Sequence, residues 1–265
     1  MTHSTAPASS LLLDKTAVIT GGASGIGLSI AQLFAASGAH VHIVDRNLQD
    51  AAVAAATISA AGGRAEAWSC DVQDHSLVGR VFCEIAAKGR IDILVNNAGI
   101  AHVGKLSTTS EEDFDRVIGV NVKGAYNCLH AAIGHMVAQN GGVILNLASI
   151  AAIAGIADRF AYSTSKGAIL AMTYSVAKDY LPQKIRCNAI SPARVHTPFV
   201  DGFVAKNYPG REEEMFAKLA ESQPIGRMAT PDEVARLALY LCSDDASFIT
   251  GMNYPLDGGY MNLRG

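Results

Sequence analysis

Short apolar runs alternate along the chain with longer segments whose apolar residues recur every three or four positions. The first run, TAVIT at 16–20, is followed by Ile26, Ile30 and Leu33 at helical spacing. The runs have apolar residues at successive positions, which is typical of parallel strands covered by helices on both faces. The sequence therefore predicts a doubly wound α/β fold with seven strands. Six further predicted strands lie at 41–45, 65–70, 93–97, 143–149, 185–191 and 253–257.

Two of the predicted helices begin with a clear capping signal. Ser110 precedes Asp113 by three residues, and Thr230 precedes Glu233 by the same distance with a proline between them. This spacing is typical of a helix N-terminus, because the hydroxyl and the carboxylate satisfy backbone N–H groups that have no partner within the helix.

The pattern stays uniform after a short N-terminal tail. No repeat and no change of composition marks a boundary, so we expect one domain over residues 12–265 behind a tail at 1–11. Within this domain, residues 194–223 mix charged residues with proline and glycine and show little periodicity. Such a segment is typical of an active-site lid or of a solvated insertion.

The charge balance and the cysteines exclude several classes of protein. Lys and Arg number 21 against 24 Asp and Glu, whereas a nucleic-acid-binding surface needs a basic excess. The five cysteines lack metal-binding spacing, and His40 and His42 share a strand face without partnering ligands in the sequence, so we predict no metal. The longest apolar stretch, 143–157, is too short for a bilayer, and no signal peptide is recognisable. We therefore expect a cytoplasmic protein without a membrane partner.

A glycine-rich segment follows the first predicted strand. It is TGGASGIG over residues 20–27, and Gly21, Gly25 and Gly27 allow a tight turn that opens a helix. The backbone N–H groups and the dipole at such a helix start favour a pyrophosphate. Asp45 ends the second strand 20 residues beyond Gly25, as a ribose-binding carboxylate requires. The pattern predicts a dinucleotide site.

Asp45 also indicates which dinucleotide binds. Its negative charge repels a 2′-phosphate and accepts hydrogen bonds from a free 2′-hydroxyl, so the sequence favours NAD over NADP. Arg46 is the counter-indication, because an arginine beside the ribose could pair with a phosphate. Ser24 rather than a second basic residue precedes Gly25.

Polar and small residues follow the other predicted strands, whose carboxyl ends meet at the edge where ligands bind in open α/β sheets. Tyr162 and Lys166 lie four residues apart on the next helix, so the ammonium is expected to lower the pKa of the phenol toward that of a general base. Ser149, at the end of the fifth strand, is placed to hold a substrate oxygen. The other residues at this edge are Asp71, Asn96, Asn97, Ala98, Gly99 and 192–197.

Together these residues resemble the short-chain dehydrogenase/reductase family, which has a Rossmann-type fold. One departure is Ala193, where the family usually has glycine. Because alanine adopts positive φ only at a cost, we expect the turn to differ locally there. The resemblance runs from about residue 12 to 259 and rests on TGGASGIG, Asp71 in CDV, NNAG at 96–99, Asn121 in VNVKG, Ser149, YSTSK at 162–166 and the PxxxxT run at 192–197.

The resemblance implies a role for each of four catalytic residues. Tyr162 would exchange the proton of the alcohol or carbonyl, and Ser149 would orient it. Lys166 would bind the nicotinamide ribose and lower the pKa of Tyr162, while Asn121 would position a water that relays protons. The cofactor-binding residues predicted by the glycine turn and the resemblance are Gly21, Ser24, Gly25, Ile26, Gly27, Asp45, Arg46, Asp71, Val72, Asn97, Ala98, Gly99, Tyr162, Lys166, Pro192, Val195 and Thr197.

The resemblance also implies a homotetramer in which helices near 110–138 and 162–180 pack between subunits. The second of these helices has few polar residues, as a helix buried on two sides requires. Packing against the protein's own core would produce the same pattern.

Cationic residues border the predicted reaction centre. Arg159 precedes Tyr162 by three residues, and Arg194 and His196 begin the predicted lid. Arginine suits a carboxylate, so these residues predict an anionic or polyhydroxylated substrate, although solvated surface arginines would give the same pattern. SPARVHTPFVDGFVAKNYPG and YPLDGGY resemble segments of bacterial 2-keto-3-deoxy-L-fuconate dehydrogenases, which implies NAD-dependent oxidation of a secondary alcohol in a sugar acid.

Three alternatives stay open. One is a dehydrogenase of a neutral sugar such as L-rhamnose or L-fucose. Another is a 3-oxoacyl thioester reductase, which would prefer NADPH and bind an acidic carrier through a basic patch, and Asp45 and the net charge disfavour it. The third is a nucleotide-sensing binding protein without turnover, which the complete set of four catalytic residues disfavours.

Overall fold

Seven parallel strands form the centre of the protein in a computed structural model that describes residues 11–263, without the side chains of Phe199, Lys206 and Asn207. Their order across the sheet is β3-β2-β1-β4-β5-β6-β7. The predicted α/β fold is confirmed, and every predicted strand is present. Apart from Leu11, the predicted tail lies outside the described residues. The strands are β1 (Thr16–Thr20), β2 (His40–Asp45), β3 (Arg64–Ser69), β4 (Ile93–Asn96), β5 (Gly142–Leu147), β6 (Ile185–Pro192) and β7 (Asn253–Leu256).

Helices pack on both faces of the sheet. One face is covered by α1 (Gly25–Ala36), α2 (Leu48–Ala60) and α9 (Pro231–Cys242). The other is covered by α3 (His75–Lys88), α5 (Gly124–Ala138) and α6 (Phe160–Asp179). The remaining α-helices in the described part of the chain are α4 (Glu111–Ile118), α7 (Pro198–Asn207) and α8 (Glu212–Glu221).

Alternate strand residues supply the two cores. Ile19 and Ile43 are fully buried with Phe34 of α1, whereas their neighbours Val18 and Val44 are buried on the opposite face. Burial of each such side chain contributes about 1.5–3 kcal/mol. The cores therefore hold the strand ends in fixed positions, which is what a site at the sheet edge requires.

The two predicted helix starts are confirmed. The hydroxyl of Ser110 accepts the N–H of Asp113 at 3.1 Å at the start of α4. Thr230 and Glu233 form a reciprocal capping box at the start of α9.

The segment predicted to be a lid contains two helices, α7 and α8, that its weak periodicity does not indicate. No residue of α8 is buried, and its first turn is three glutamates, so the helix lacks the apolar stripe that sequence patterns detect. That the segment covers the site stays a prediction.

The cysteines and the longest helices bear on the classes considered from composition. All five cysteines are free, four of them buried, while Cys83 is exposed. None of the helices described between residues 11 and 263 is both long enough and apolar enough to cross a bilayer.

Candidate active site

The candidate site lies where the strand order reverses, since β1 has β2 on one side and β4 on the other. The glycine turn after β1 begins here. Gly21 and Gly25 have φ of 62° and 53°, which glycine adopts without strain. A Cβ on Gly27 would lie 2.2 Å from the carbonyl oxygen of Gly21, so the close packing of the turn on α1 also requires glycine.

The start of α1 fits the pyrophosphate of a dinucleotide. Ser24 is the N-cap residue, and its side chain accepts no capping hydrogen bond. The first turn also has no acidic residue. The N–H groups of Gly25, Ile26 and Gly27 and the positive end of the helix dipole thus suit a phosphate.

The residues after β4 fasten this turn to the sheet. Asn97 donates from Nδ2 to the carbonyl oxygens of Thr20 and Gly21, at 3.0 and 2.9 Å. The hydroxyl of Thr20 accepts the N–H groups of Asn97 and Ala98, both at 3.1 Å. Thr20 was absent from the sequence-based site, although its place at the end of β1 was the available signal.

Asp45 and Val72 border the position expected for the adenosine. The carboxylate of Asp45 accepts the N–H of Ala23, in the glycine turn, at 3.2 Å, which places the negative charge beside the turn. Arg46 is exposed. Val72 is buried after β3, next to the half-buried Asp71, and its carbonyl accepts from Asn127 of α5 at 2.8 Å.

The structure brings Ser149, Tyr162 and Lys166 together. Ser149 and Tyr162 are joined by a side-chain hydrogen bond. The ammonium of Lys166 lies 5.8 Å from the ring centroid of Tyr162 and donates to the carbonyl oxygen of Leu147 at 2.7 Å. The serine and the lysine are both buried. Helix α6 thus presents phenol and ammonium toward the end of β5.

The pKa of Tyr162 differs from the expectation. Burial raises it, and the hydrogen bond from Ser149 and the charges of Arg159 and Arg194 lower it only in part. Burial also lowers the pKa of Lys166 to about 8. The expectation that Lys166 makes the phenol acidic was wrong for the protein alone, because loss of solvent around the phenol outweighs the nearby cations.

Asn121 connects two parts of the site. It lies in a π-helical turn, Gly119–Lys123, between α4 and α5, and is buried. Its Oδ1 accepts the N–H of Ile100 at 2.8 Å, while Nδ2 donates to the carbonyl of Ile100 and to the hydroxyl of Ser165, both at 2.9 Å. Ser165, on α6, was not predicted. The side-chain amide of Asn121 thus connects the segment after β4 to α6, the helix that carries Tyr162.

Gly99 packs closely against the same amide. A Cβ on Gly99 would lie 3.3 Å from Oδ1 of Asn121, which is a tight contact.

Two of the three predicted substrate cations share one region. Arg159 and Arg194 are half-buried, and within residues 11–263 neither has a carboxylate within 4.0 Å. Burial and the charge of Arg194 lower the pKa of Arg159, since two like charges are held close together with little solvent. The guanidinium of Arg159 lies 5.9 Å from the ring of Phe203 on α7.

His196 has a different environment. Its Nε2 lies 2.7 Å from a carboxylate oxygen of Asp201 on α7, and its ring centroid is 5.3 Å from that of Phe216 on α8. The side chain is exposed, 55%. The structure therefore joins His196 to the two helices of the predicted lid.

The segment after β6 closes the site opposite the glycine turn. Pro192 and Val195 are buried, and Thr197 caps α7 by accepting the N–H of Val200 at 3.4 Å. A Cβ on Gly25 would lie 3.6 Å from Cγ2 of Thr197, so the two predicted cofactor contacts face each other. A cavity of about 70 Å³ adjoins this segment and is lined in part by Arg194.

Ala193 does not strain the turn. Four non-glycine residues in the described part of the chain have positive φ, and Ala193 is not among them. Its N–H donates to the carbonyl of Leu256 at 3.0 Å. Alanine therefore fits this backbone position without strain, and the expected local difference from the family stays a prediction.

Comparison with known proteins extends over nearly the whole chain. Residues 21–261 match the family model described as enoyl-(acyl carrier protein) reductase. The uncharacterised oxidoreductase YxbG of Bacillus subtilis is 40% identical over 256 residues, which cover 94% of this chain and 92% of that protein. A short-chain dehydrogenase/reductase structure from Burkholderia xenovorans has a TM-score of 0.93 and 33% identity, covering 97% of this chain and 100% of the other.

A second structure carries a cofactor. It is described as an NAD(P)-dependent gluconate 5-dehydrogenase of Beutenbergia cavernae with NADP bound at low occupancy. Its TM-score is 0.88 at 33% identity, covering 96% of this chain and 99% of the other.

These matches define the class to which the fold and site belong, that of oxidoreductases that bind a nicotinamide cofactor and a small-molecule substrate. More narrowly, the chain belongs to the short-chain dehydrogenase/reductase family.

Proposed function

We propose that this protein uses NAD to oxidise a secondary hydroxyl of a sugar acid, with 2-keto-3-deoxy-L-fuconate, oxidised at its 4-hydroxyl, as the favoured substrate. The observation that carries the proposal is the pair Arg159 and Arg194, two half-buried guanidiniums without a carboxylate partner in the described residues, near Tyr162. A substrate carboxylate would supply the missing negative charge through paired hydrogen bonds.

The roles of the site residues follow from their contacts. Tyr162 takes the proton of the substrate hydroxyl, and Ser149, hydrogen-bonded to Tyr162, holds the substrate oxygen. Lys166 lies beside the phenol ring and keeps positive charge near it. Asn121 fixes α6 relative to the segment after β4. Bound NAD would accept the hydride from the alcohol carbon.

NAD is proposed over NADP because of Asp45. Its carboxylate lies against the glycine turn through the N–H of Ala23, where a 2′-phosphate would meet a negative charge. The NADP in the Beutenbergia cavernae structure belongs to that protein.

The cofactor proposal is tested by kinetics with Asp45→Ser. Wild type should have a higher kcat/KM with NAD than with NADP, and the variant should lose at least about tenfold of this preference, which corresponds to about 1.4 kcal/mol. A wild-type enzyme that uses NADP equally well would contradict the proposal.

The substrate proposal is tested with a panel of 2-keto-3-deoxy sugar acids and neutral sugars, followed by NADH absorbance. Arg159→Gln should raise KM for the acids at least about tenfold and leave neutral alcohols little changed. Arg211→Gln is the control, because Arg211 is an exposed arginine of the predicted lid that already pairs with Glu214. Turnover of L-rhamnose or L-fucose in preference to the acids would support the neutral-sugar alternative instead.

We also propose a homotetramer that uses α5 and α6. The exposed surface of these helices includes Tyr126, Val137, Phe160 and Tyr174, each more than a third exposed. Ile169 and Leu170 are buried in the protein's own core, so these two residues of α6 are explained without a partner. The exposed aromatic residues are the remaining support for an interface.

A further inference from the structure

Two histidines and a glutamate meet on strands β2 and β3, away from the catalytic residues. We name His40, His42 and Glu66 the edge cluster, because β3 is the outermost strand of the sheet. The histidines are two residues apart on one strand and therefore share a face. Glu66 is the register partner of His42 on the neighbouring strand. The two histidines were recognisable in the sequence as neighbours on one strand face, whereas the carboxylate of Glu66 is brought to them only by the pairing of β2 with β3.

The spacing of the donor atoms suits one small cation. One ligand atom from each of the three side chains lies within 4.8 Å of the other two. Nε2 of His40 is 3.3 Å from a carboxylate oxygen of Glu66. Adjacent ligand atoms of a tetrahedral zinc ion are about 3.3 Å apart, so this pair already has the required separation.

We propose that the edge cluster binds a divalent transition-metal ion, with Zn²⁺ as the best fit. Two imidazoles and one carboxylate are a donor set that zinc uses with a fourth ligand from water. The side chains of His40 and Glu66 are 29% and 34% exposed, so an ion and its water have access. The sheet fixes the backbones of β2 and β3 relative to each other. The three ligand atoms therefore have to approach one another only through movement of their side chains.

Lys88, at the end of α3, is the competing cation. Its ammonium pairs with the second carboxylate oxygen of Glu66, Oε2, while Oε1 faces His40. A metal on Oε1 would be repelled by this ammonium, because both cations share one carboxylate. Removal of the Lys88 charge should therefore strengthen metal binding at Glu66 and have no such effect on a site elsewhere.

The single tryptophan of the chain gives a direct readout. The indole N–H of Trp68 donates to Nδ1 of His42 at 2.9 Å. A metal on Nδ1 would use this lone pair, and a metal on Nε2 would move the ring proton from Nε2 to Nδ1. In either case the indole N–H loses its acceptor and its surroundings change. The emission of Trp68 should therefore change as the cluster fills, independently of catalysis.

The experiment is a titration of metal-free, tag-free protein with ZnCl₂, followed by Trp68 emission and by calorimetry. We expect saturable binding of one ion per chain. His40→Gln and Glu66→Gln should each weaken it at least about tenfold, since even loss of an outer-shell partner costs about 10–100-fold. His130→Gln is the control, because His130 is exposed in a different group of rings, with His75 and Tyr126, and its loss should leave the affinity unchanged.

Lys88→Met provides a second test that keeps all three ligands. Its Zn²⁺ affinity by calorimetry should rise severalfold. The proposal is overturned if wild type shows no saturable binding, if His40→Gln and Glu66→Gln bind as wild type does, or if Lys88→Met binds no more tightly. Equal weakening by His130→Gln would also overturn it.

Discussion

Tyr162 is subject to opposing influences that decide how it acts as a base. Burial raises its pKa, while the Ser149 hydrogen bond and the charges of Arg159 and Arg194 lower it. The sequence predicted Tyr162 and Lys166 because they lie four residues apart on one helix, and Ser149 because it follows the fifth strand. It did not predict the direction of the pKa shift, because desolvation depends on every group packed around the phenol.

Substitution Tyr162→Phe should remove the proton acceptor and keep the ring. We expect kcat to fall by about 10²–10⁴-fold, the usual contribution of a general acid or base. The affinity for NAD should stay near that of wild type, as measured by calorimetry. Full activity in the variant would show that another group accepts the proton.

Substitution Arg159→Gln should change the pH dependence of catalysis. The positive charge of Arg159 lowers the pKa of Tyr162, so its removal raises that pKa further. The rising limb of kcat/KM for oxidation should move to higher pH, because the phenol must lose its proton to act as a base. A profile measured with a neutral alcohol isolates this effect from carboxylate binding, and an unshifted or acid-shifted limb would contradict it.

At the scale of elements, the regular parts of the fold were predictable because the five inner strands and most helices carry an apolar pattern that matches their burial. Helices α7 and α8 were missed, since α8 buries no residue and leaves no such pattern. The π-helical turn that holds Asn121 was missed as well, because its hydrogen-bond pattern has no residue preference that the sequence reveals.

Two glycine-to-alanine substitutions should have opposite effects on stability, because one glycine is closely packed and the other is a helix residue with open space around it. Gly27→Ala places a Cβ 2.2 Å from the Gly21 carbonyl and should destabilise the protein by about 1–3 kcal/mol. Gly79→Ala, in α3, meets nothing within 4 Å and should stabilise it by about 0.5–1 kcal/mol. Urea unfolding measures both, and equal stability of the two variants would refute the packing argument.

At the scale of the whole molecule, the order of the strands creates the site. Because β4 rather than β3 lies beside β1, the glycine turn adjoins Asn97 and Ala98, from a distant part of the sequence. The same order leaves α5 and α6 on one face of the sheet with exposed aromatic residues, on which the proposed tetramer depends.

The tetramer is tested by a charge on α6. In analytical ultracentrifugation, the wild-type protein should have a mass of about four times the 27.7 kDa of one chain. Tyr174→Lys should reduce this mass, because charged residues are disfavoured in the centre of an interface. Val53→Lys, at an exposed apolar residue of α2, should leave this mass unchanged. A monomeric wild type would exclude the interface.

The sequence alone determined the α/β alternation and the glycine turn with Asp45, and it singled out Ser149, Tyr162 and Lys166 as candidates, because these depend on local spacing and on residue chemistry. Asn121 was implied only by the resemblance to a family. Tertiary structure decided what depends on contacts between distant segments. It placed Thr20 and Ser165 in the site, set the direction of the Tyr162 pKa, and joined His196 to Asp201 and Phe216 of the predicted lid. It also brought Glu66 to His40 and His42, since strand pairing, which no local pattern encodes, chooses the neighbours of each side chain.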